Sequence, residues 1–222
     1  MTSPDTVAGG PVVSDPVADS MEVAALFDRR KQPVRELAEQ AGAVAAACHD
    51  MAIRFHRGGK LVAFGIGGES TDAQHVAVEF VHPVIVGKRA LPAISLTSDV
   101  ATVTGIAARE GVAAVFARQL RYLGEPADIA LGISADGDCP SVARGLQAAR
   151  DLGMLTVALV GAGGGAIAAS PAVDHVLVTR ATDPRVVKEI QVTTYHVLWE
   201  LVHVFFEHPG ALEGVLAPGV VA

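Results

Sequence analysis

The 222-residue chain predicts an α/β fold: a doubly wound, mostly five-stranded parallel sheet flanked by helices, with a helical N-terminal extension. Three observations carry that prediction. Short, nearly continuous apolar runs recur, each followed by glycine or small polar residues; helix-period patterns separate them; and 50% of the residues are hydrophobic against 18% charged. Strands apolar along their whole length are buried on both faces, as in a parallel sheet covered by helices, and right-handed crossovers then wind the chain to both sides.

In chain order, residues 1–19 are rich in Pro, Gly, Ser, Thr and Asp and read as a flexible tail. Residues 20–57 carry helical spacing through Val23, Leu26, Phe27, Val34, Leu37, Val44 and Cys48. Pro33 is expected to split them into a short and a long helix, and Gly58-Gly59 to end the second. Residues 58–208 form the main domain. Its expected strands are Leu61–Phe64, Ala93–Leu96, Ile129–Ile133, Leu155–Val160 and His175–Val178. A last helix is expected from Pro184 to Phe206, with Asp183 as N-cap and proline at the first helical position. Residues 209–222 read as a loose tail.

Composition narrows the function classes. With 24 acidic and 17 basic side chains, net −7, the chain lacks the positive field that nucleic acid or an anionic membrane attracts. Its mean hydropathy is +0.40, and residues 152–173 carry no charge, but glycines and Pro171 divide that stretch into a strand and a loop, which argues against a membrane span. Cys48 and Cys139 make no disulfide framework or metal finger, and the acidic N-terminus is not a signal peptide, so a reducing cytoplasmic setting is expected.

In such sheets ligands sit beyond the carboxyl ends of the strands, which singles out the loops. The first, Gly65-Ile66-Gly67-Gly68-Glu69-Ser70, opens a helix on which His75 and Glu79 share a face at i,i+4 spacing. Imidazole and carboxylate so placed can exchange protons or hold a metal. His196 and Glu200 repeat that spacing on the last helix. The second loop, Ser134-Ala135-Asp136-Gly137-Asp138-Cys139, brings carboxylates to a helix start, where they either cap the helix or face a ligand. Gly161 to Ala166 fits GxGxxA, a weak dinucleotide signal without an N-terminal strand unit. His49, His56, His82, His175, His203 and His208 stand outside any motif, and Trp199, Phe205 and Phe206 read as packing residues.

The run from Leu61 to Glu79 resembles the core of the sugar isomerase (SIS) domain. It is most similar to bacterial phosphoheptose isomerases, whose pattern is GNGGS followed by DAxHxAxE. The likeness spans about residues 20–207 and includes the stretch ending at Asp99, Leu131–Ser134, Ala148–Met154, and Glu189-Ile190 with His196. It implies the SIS fold and isomerisation of sedoheptulose 7-phosphate to a heptose 7-phosphate. Glu79 is the implied base and His196 the acid. A zinc ion on His75, Glu79 and His196, and a homotetramer or dimer with sites at subunit interfaces, are also implied. Gly67, Gly68, Glu69, Asp99, Ser134, Ala135, Asp136 and Lys188 match positions that touch the sugar phosphate.

The chain departs from that pattern at the phosphate end. Ile66 replaces asparagine; Glu69, Asp136 and Cys139 replace serines; Lys188 replaces a metal-binding glutamine, and Arg185 an aspartate. An ammonium offers only donors and cannot bind a metal while protonated. Two carboxylates about 4 Å from a phosphate dianion repel it by several kcal/mol at an effective dielectric near 20. Two other readings stay open: a non-catalytic SIS module that binds a carbohydrate derivative or a protein partner, and a metal-dependent enzyme of unrelated specificity.

Overall fold

The structure is a computed structural model and describes residues 16–208 and 210–213. Two helices, α1 (Pro16–Glu39) and α2 (Ala41–His56), precede the sheet. The rest alternates: β1 (Leu61–Gly65), α3 (Gly68–Val81), β2 (Ala93–Ser95), α4 (Val100–Glu110), α5 (Val115–Leu123), β3 (Ile129–Ser134), α6 (Pro140–Asp151), β4 (Leu155–Val160), α7 (Gly165–Ala168), β5 (His175–Val178), α8 (Pro184–Glu207) and α9 (Gly210–Glu213). The five strands pair in parallel in the order β2-β1-β3-β4-β5. The doubly wound sheet expected from the sequence is therefore present.

Successive side chains of a strand point to opposite faces, and the core divides accordingly. Leu61, Ala63, Leu131, Val157 and Leu159 pack under α2, α3 and α8. Val62, Phe64, Ala130, Ala158 and Val160 pack under α5 and α6, against Phe116, Leu120, Val142 and Leu146. The uncharged stretch 152–173 is β4, buried along its length, followed by a turn and α7; no helix among the described residues is long and apolar enough to cross a membrane.

Three local expectations differ from the structure. Helix α1 runs through Pro33 without a break, although proline removes one main-chain hydrogen bond. Fastenings on both sides of Pro33 hold it: Arg30 Nε binds Glu189 of α8 at 2.5 Å. Further on, the Gln40 side chain donates to Val178 O (2.8 Å) and accepts from Val178 N (3.1 Å). The chain turns at Gln40, not at Pro33, because the Gln40 amide serves as a strand partner for the open edge of β5. At the N-terminal end α1 starts at Pro16, inside the stretch read as a tail; residues 1–15 lie outside the described residues. At the C-terminal end, part of the expected tail forms α9, and Leu212 is 3% exposed against the core; residues 209 and 214–222 lie outside the described ones.

Candidate active site

The connections leave β1 and β3 toward opposite faces of the sheet, and their carboxyl ends lie side by side, Gly65 pairing with Ile133, one residue before the end of β3. In this strand order that divergence is the crevice where ligands bind. Two loops frame it, one opening α3 and the other opening α6.

The first loop delivers the imidazole and the carboxylate. Gly67 caps α3 with φ 67°, a backbone that L side chains rarely adopt. Two turns on, His75 Nε2 lies 3.2 Å from Glu79 Oε1, as the i,i+4 spacing predicts. Glu79 is 12% exposed and His75 42%, so the pair opens to solvent on the imidazole side. Helix α8 crosses this face and brings in His196, whose ring centroid is 5.1 Å from that of His75. One ligand atom from each of His75, Glu79 and His196 lies within 4.8 Å of the others. Glu200, the i,i+4 neighbour of His196, is exposed.

These three donors fit a zinc ion. Two imidazoles, a carboxylate and an open fourth position form a catalytic zinc set, and bonds near 2.1 Å require donors about 3.4 Å apart. Lys188, at the position the resemblance gives to glutamine, is not a fourth donor. Its ammonium binds Asp72 Oδ2 (2.7 Å), Gly68 O (2.9 Å) and Thr71 Oγ1 (3.2 Å). Asp72 is 3% exposed, so Lys188 neutralises a buried carboxylate and ties α8 to the first turn of α3.

The second loop folds onto itself. Asp136 Oδ1 accepts from Ser134 Oγ (3.1 Å) and from the Asp138 amide (2.9 Å), while the Gly137 amide donates to Ser134 Oγ (3.0 Å). The Asp138 amide bond, with help from the Ser134 hydroxyl and against the cost of burial, holds the Asp136 carboxyl below the usual range. Asp138 Oδ1 takes the Ala166 amide at 2.8 Å. Each of these donors could serve a bound anion, and each already has a carboxylate or a hydroxyl. Arg185 does not reach the loop; it binds Asp183 through Nε (3.0 Å) and Nη2 (2.8 Å).

The glycine-rich segment after β4 owes its composition to packing. A Cβ on Gly161 would collide with the Ala135 carbonyl, and Ile167 N donates to Gly137 O at 2.9 Å. The GxGxxA match thus records one loop laid on another.

The remaining expected site residues scatter. Asp99 caps α4, accepting from Thr102 Oγ1 (2.6 Å) and Thr102 N (3.1 Å), which hold its carboxyl below the usual range. It lines a separate cleft of about 490 Å³ with Ile94, Leu96 and Tyr122. Glu69 is half-buried on the first turn of α3, and Ala135 sits in the second loop. His175 pairs with Asp50 at 2.8 Å, and His203 lies between the Trp199 and Arg89 carbonyls. Cys48 is a core residue whose thiol burial pushes up to about 12.

One residue escaped the sequence reading. Tyr195, 0% exposed on α8, places its hydroxyl 2.7 Å from His75 Nδ1. The available signal was a phenol on the buried face of the last helix, one residue before His196; a buried hydroxyl requires a partner.

The doubly wound sheet thus brings a carboxylate and two imidazoles together at its switch point, the groups that an isomerase of sugars would require. The SIS domain family profile matches residues 27–161. The chain is 41% identical over 177 residues to the phosphoheptose isomerase of Desulfovibrio desulfuricans, covering 79% of this chain and 83% of that one. It is 36% identical over 168 residues to the phosphoheptose isomerase of Aquifex aeolicus, covering 76% and 83%. Among solved structures, the phosphoheptose isomerase of Neisseria gonorrhoeae superposes with a TM-score of 0.76 at 29% identity, covering 83% of this chain and 98% of that one. The Francisella tularensis enzyme gives 0.78 at 28%, covering 84% and 98%. The chain belongs to the phosphoheptose isomerase family of SIS-domain proteins.

Proposed function

We propose that the protein is an aldose–ketose isomerase of the phosphoheptose isomerase type, converting sedoheptulose 7-phosphate to heptose 7-phosphate with an altered phosphate pocket. The observation that carries this reading is the convergence of His75, Glu79 and His196 at the sheet's switch point. The Glu79 carboxylate removes the proton from the carbon beside the substrate carbonyl, and the carbonyl oxygen gains a proton from the His196 imidazole. Returning the first proton to the neighbouring carbon, while His196 recovers its own from the other oxygen, completes the exchange with no net gain or loss. A zinc ion held by His75, Glu79 and His196 would stabilise negative charge on the sugar oxygens. Gly67, Gly68, Glu69, Ser134, Ala135, Asp136 and Lys188 border the substrate in this reading; Asp99, in its separate cleft, is not among them. Asp136 fills donors that a phosphoryl group would use, so the substrate's anionic end is weakly held.

The protein acts as a homo-oligomer with sites at its subunit interfaces. Support comes from apolar surface left open on the single chain: Met21 and Phe27 of α1 are 71% and 66% exposed, and α4 buries none of its residues. A cytoplasmic location suits a phosphorylated sugar. The test is incubation of the purified protein with sedoheptulose 7-phosphate, following aldose formation by NMR. Conversion by wild type that is lost in Glu79→Gln supports the reading; equal inactivity of both proteins overturns it.

A further inference from the structure

The face of the sheet away from α3 and α8 carries a charged groove of its own. We propose that this groove, between α5 and α6, binds a small phosphorylated polyol: arginines take its phosphate, and amide and carboxylate oxygens take its hydroxyls.

Helix geometry builds the groove. On α6, Arg144, Gln147, Ala148 and Asp151 stand at i, i+3, i+4 and i+7, and on α5 Arg118 and Arg121 stand three apart, so each set shares one helix face. The two faces meet around a cavity of about 450 Å³, within the range of small-molecule sites. Ala117 and Ala148, 8% and 7% exposed, form its floor. With only methyl groups below, the long side chains stand over a hollow instead of filling it. The groove lies on the Phe116 and Leu146 side of the core, whereas His75, Glu79 and His196 belong to the α3 and α8 side. Occupancy here leaves the acid/base site free.

The charge points to an anion. The chain is net −7, yet this groove sets three arginines against two acids, and both acids are engaged. Arg118 Nε pairs with Glu110 Oε1 at 3.4 Å, and Gln147 Nε2 donates to Asp151 Oδ1 at 2.8 Å. The Arg121 and Arg144 guanidiniums have no partner among the described residues. Their paired N–H groups match phosphate oxygens two at a time. Arg118 is already oriented by the Tyr122 ring, 5.0 Å from its centroid, so less freedom is lost when an anion arrives. A bare anion would gain nothing from Asp151. A phosphorylated polyol uses it, because hydroxyls can donate to the second Asp151 oxygen and to the Gln147 carbonyl. A nucleic-acid strand is the wrong polyanion for a chain of this net charge.

The experiment uses the full chain with 13C-labelled alanine methyls, at neutral pH and constant ionic strength. It is titrated with sorbitol 6-phosphate, which has no carbonyl to isomerise, and separately with inorganic phosphate and with sorbitol. The Ala117 and Ala148 methyl signals should shift with sorbitol 6-phosphate, respond more weakly to phosphate, and stay still with sorbitol. Replacing two exposed side chains together, Arg121→Gln and Arg144→Gln, should weaken binding at the groove about tenfold. Any shift at Ala73 and Ala77 of α3 should persist in that variant. Wild-type Ala117 and Ala148 signals that do not move overturn the proposal without any variant having to fold. So do phosphate or sorbitol binding as tightly as the ester, or undiminished affinity in the double variant. Turnover plays no part in this readout, so the result is independent of the isomerase reading.

Discussion

The two loops at the divergence of β1 and β3 sit on paired strands and open helices in similar ways, yet they have been put to opposite uses. The first presents His75 and Glu79 toward α8 with the imidazole still open to solvent. The second turns Asp136 inward onto its own amide and hydroxyl, and Asp138 onto the Ala166 amide of the neighbouring segment. A loop that satisfies itself gains stability and loses the power to seat an anion; a loop whose donors face outward keeps its chemistry. In the proposed reading, proton transfer and phosphate binding are therefore separate functions of one sheet edge.

The contrast breaks most visibly at Glu79. Glu79→Gln keeps the shape and removes the base, so kcat should fall about 10²- to 10⁴-fold; a smaller loss would place the base elsewhere. Next in size is the tie between the two helices. Lys188→Met leaves Asp72 buried without its cation. Breaking a fully buried pair costs about 3–5 kcal/mol, and the 40% exposure of Lys188 brings the expected loss down to about 2 kcal/mol. Chemical denaturation would measure it, and adding Asp72→Asn should recover part of the loss. Asp136→Ser frees the Ser134 hydroxyl and the Asp138 amide, and KM for the phosphorylated sugar should fall about tenfold, equivalent to about 1.4 kcal/mol.

The smallest expected effect is a pH dependence. The Asp183 carboxyl is held down to about 2 by its Arg185 side-chain bonds first and the Arg185 amide next. A folded value below the unfolded one, about 3.9, gives stability that is complete above that unfolded value and lost as pH falls through 4 toward 2. Melting temperatures between pH 5 and 2 should decline less steeply in Asp183→Asn than in wild type.

How much of this was legible in the sequence follows from how local each signal is. The bounds of β4 match its apolar run because a buried strand is written in consecutive residues; those of the half-buried edge strand β5 match as well. The His75–Glu79 contact was legible for the same reason, being one helical turn. Gln40 pairing with Val178, and Lys188 with Asp72, join residues more than a hundred positions apart; no spacing rule reaches them. Tyr195 was missed because a phenol on a buried helical face looks like packing until its partner is known. Pro33 misled because the fastenings that hold α1 straight come from α8 and β5, not from α1.

The claim on which the rest depends is that proton transfer survives where the phosphate seat has been filled from within. It is tested most directly by steady-state isomerisation of sedoheptulose 7-phosphate by wild type, Glu79→Gln and Asp136→Ser side by side. The expected result is a clean division: Glu79→Gln loses kcat, and Asp136→Ser lowers KM with kcat retained. A higher KM in Asp136→Ser, or turnover that survives Glu79→Gln, would contradict it.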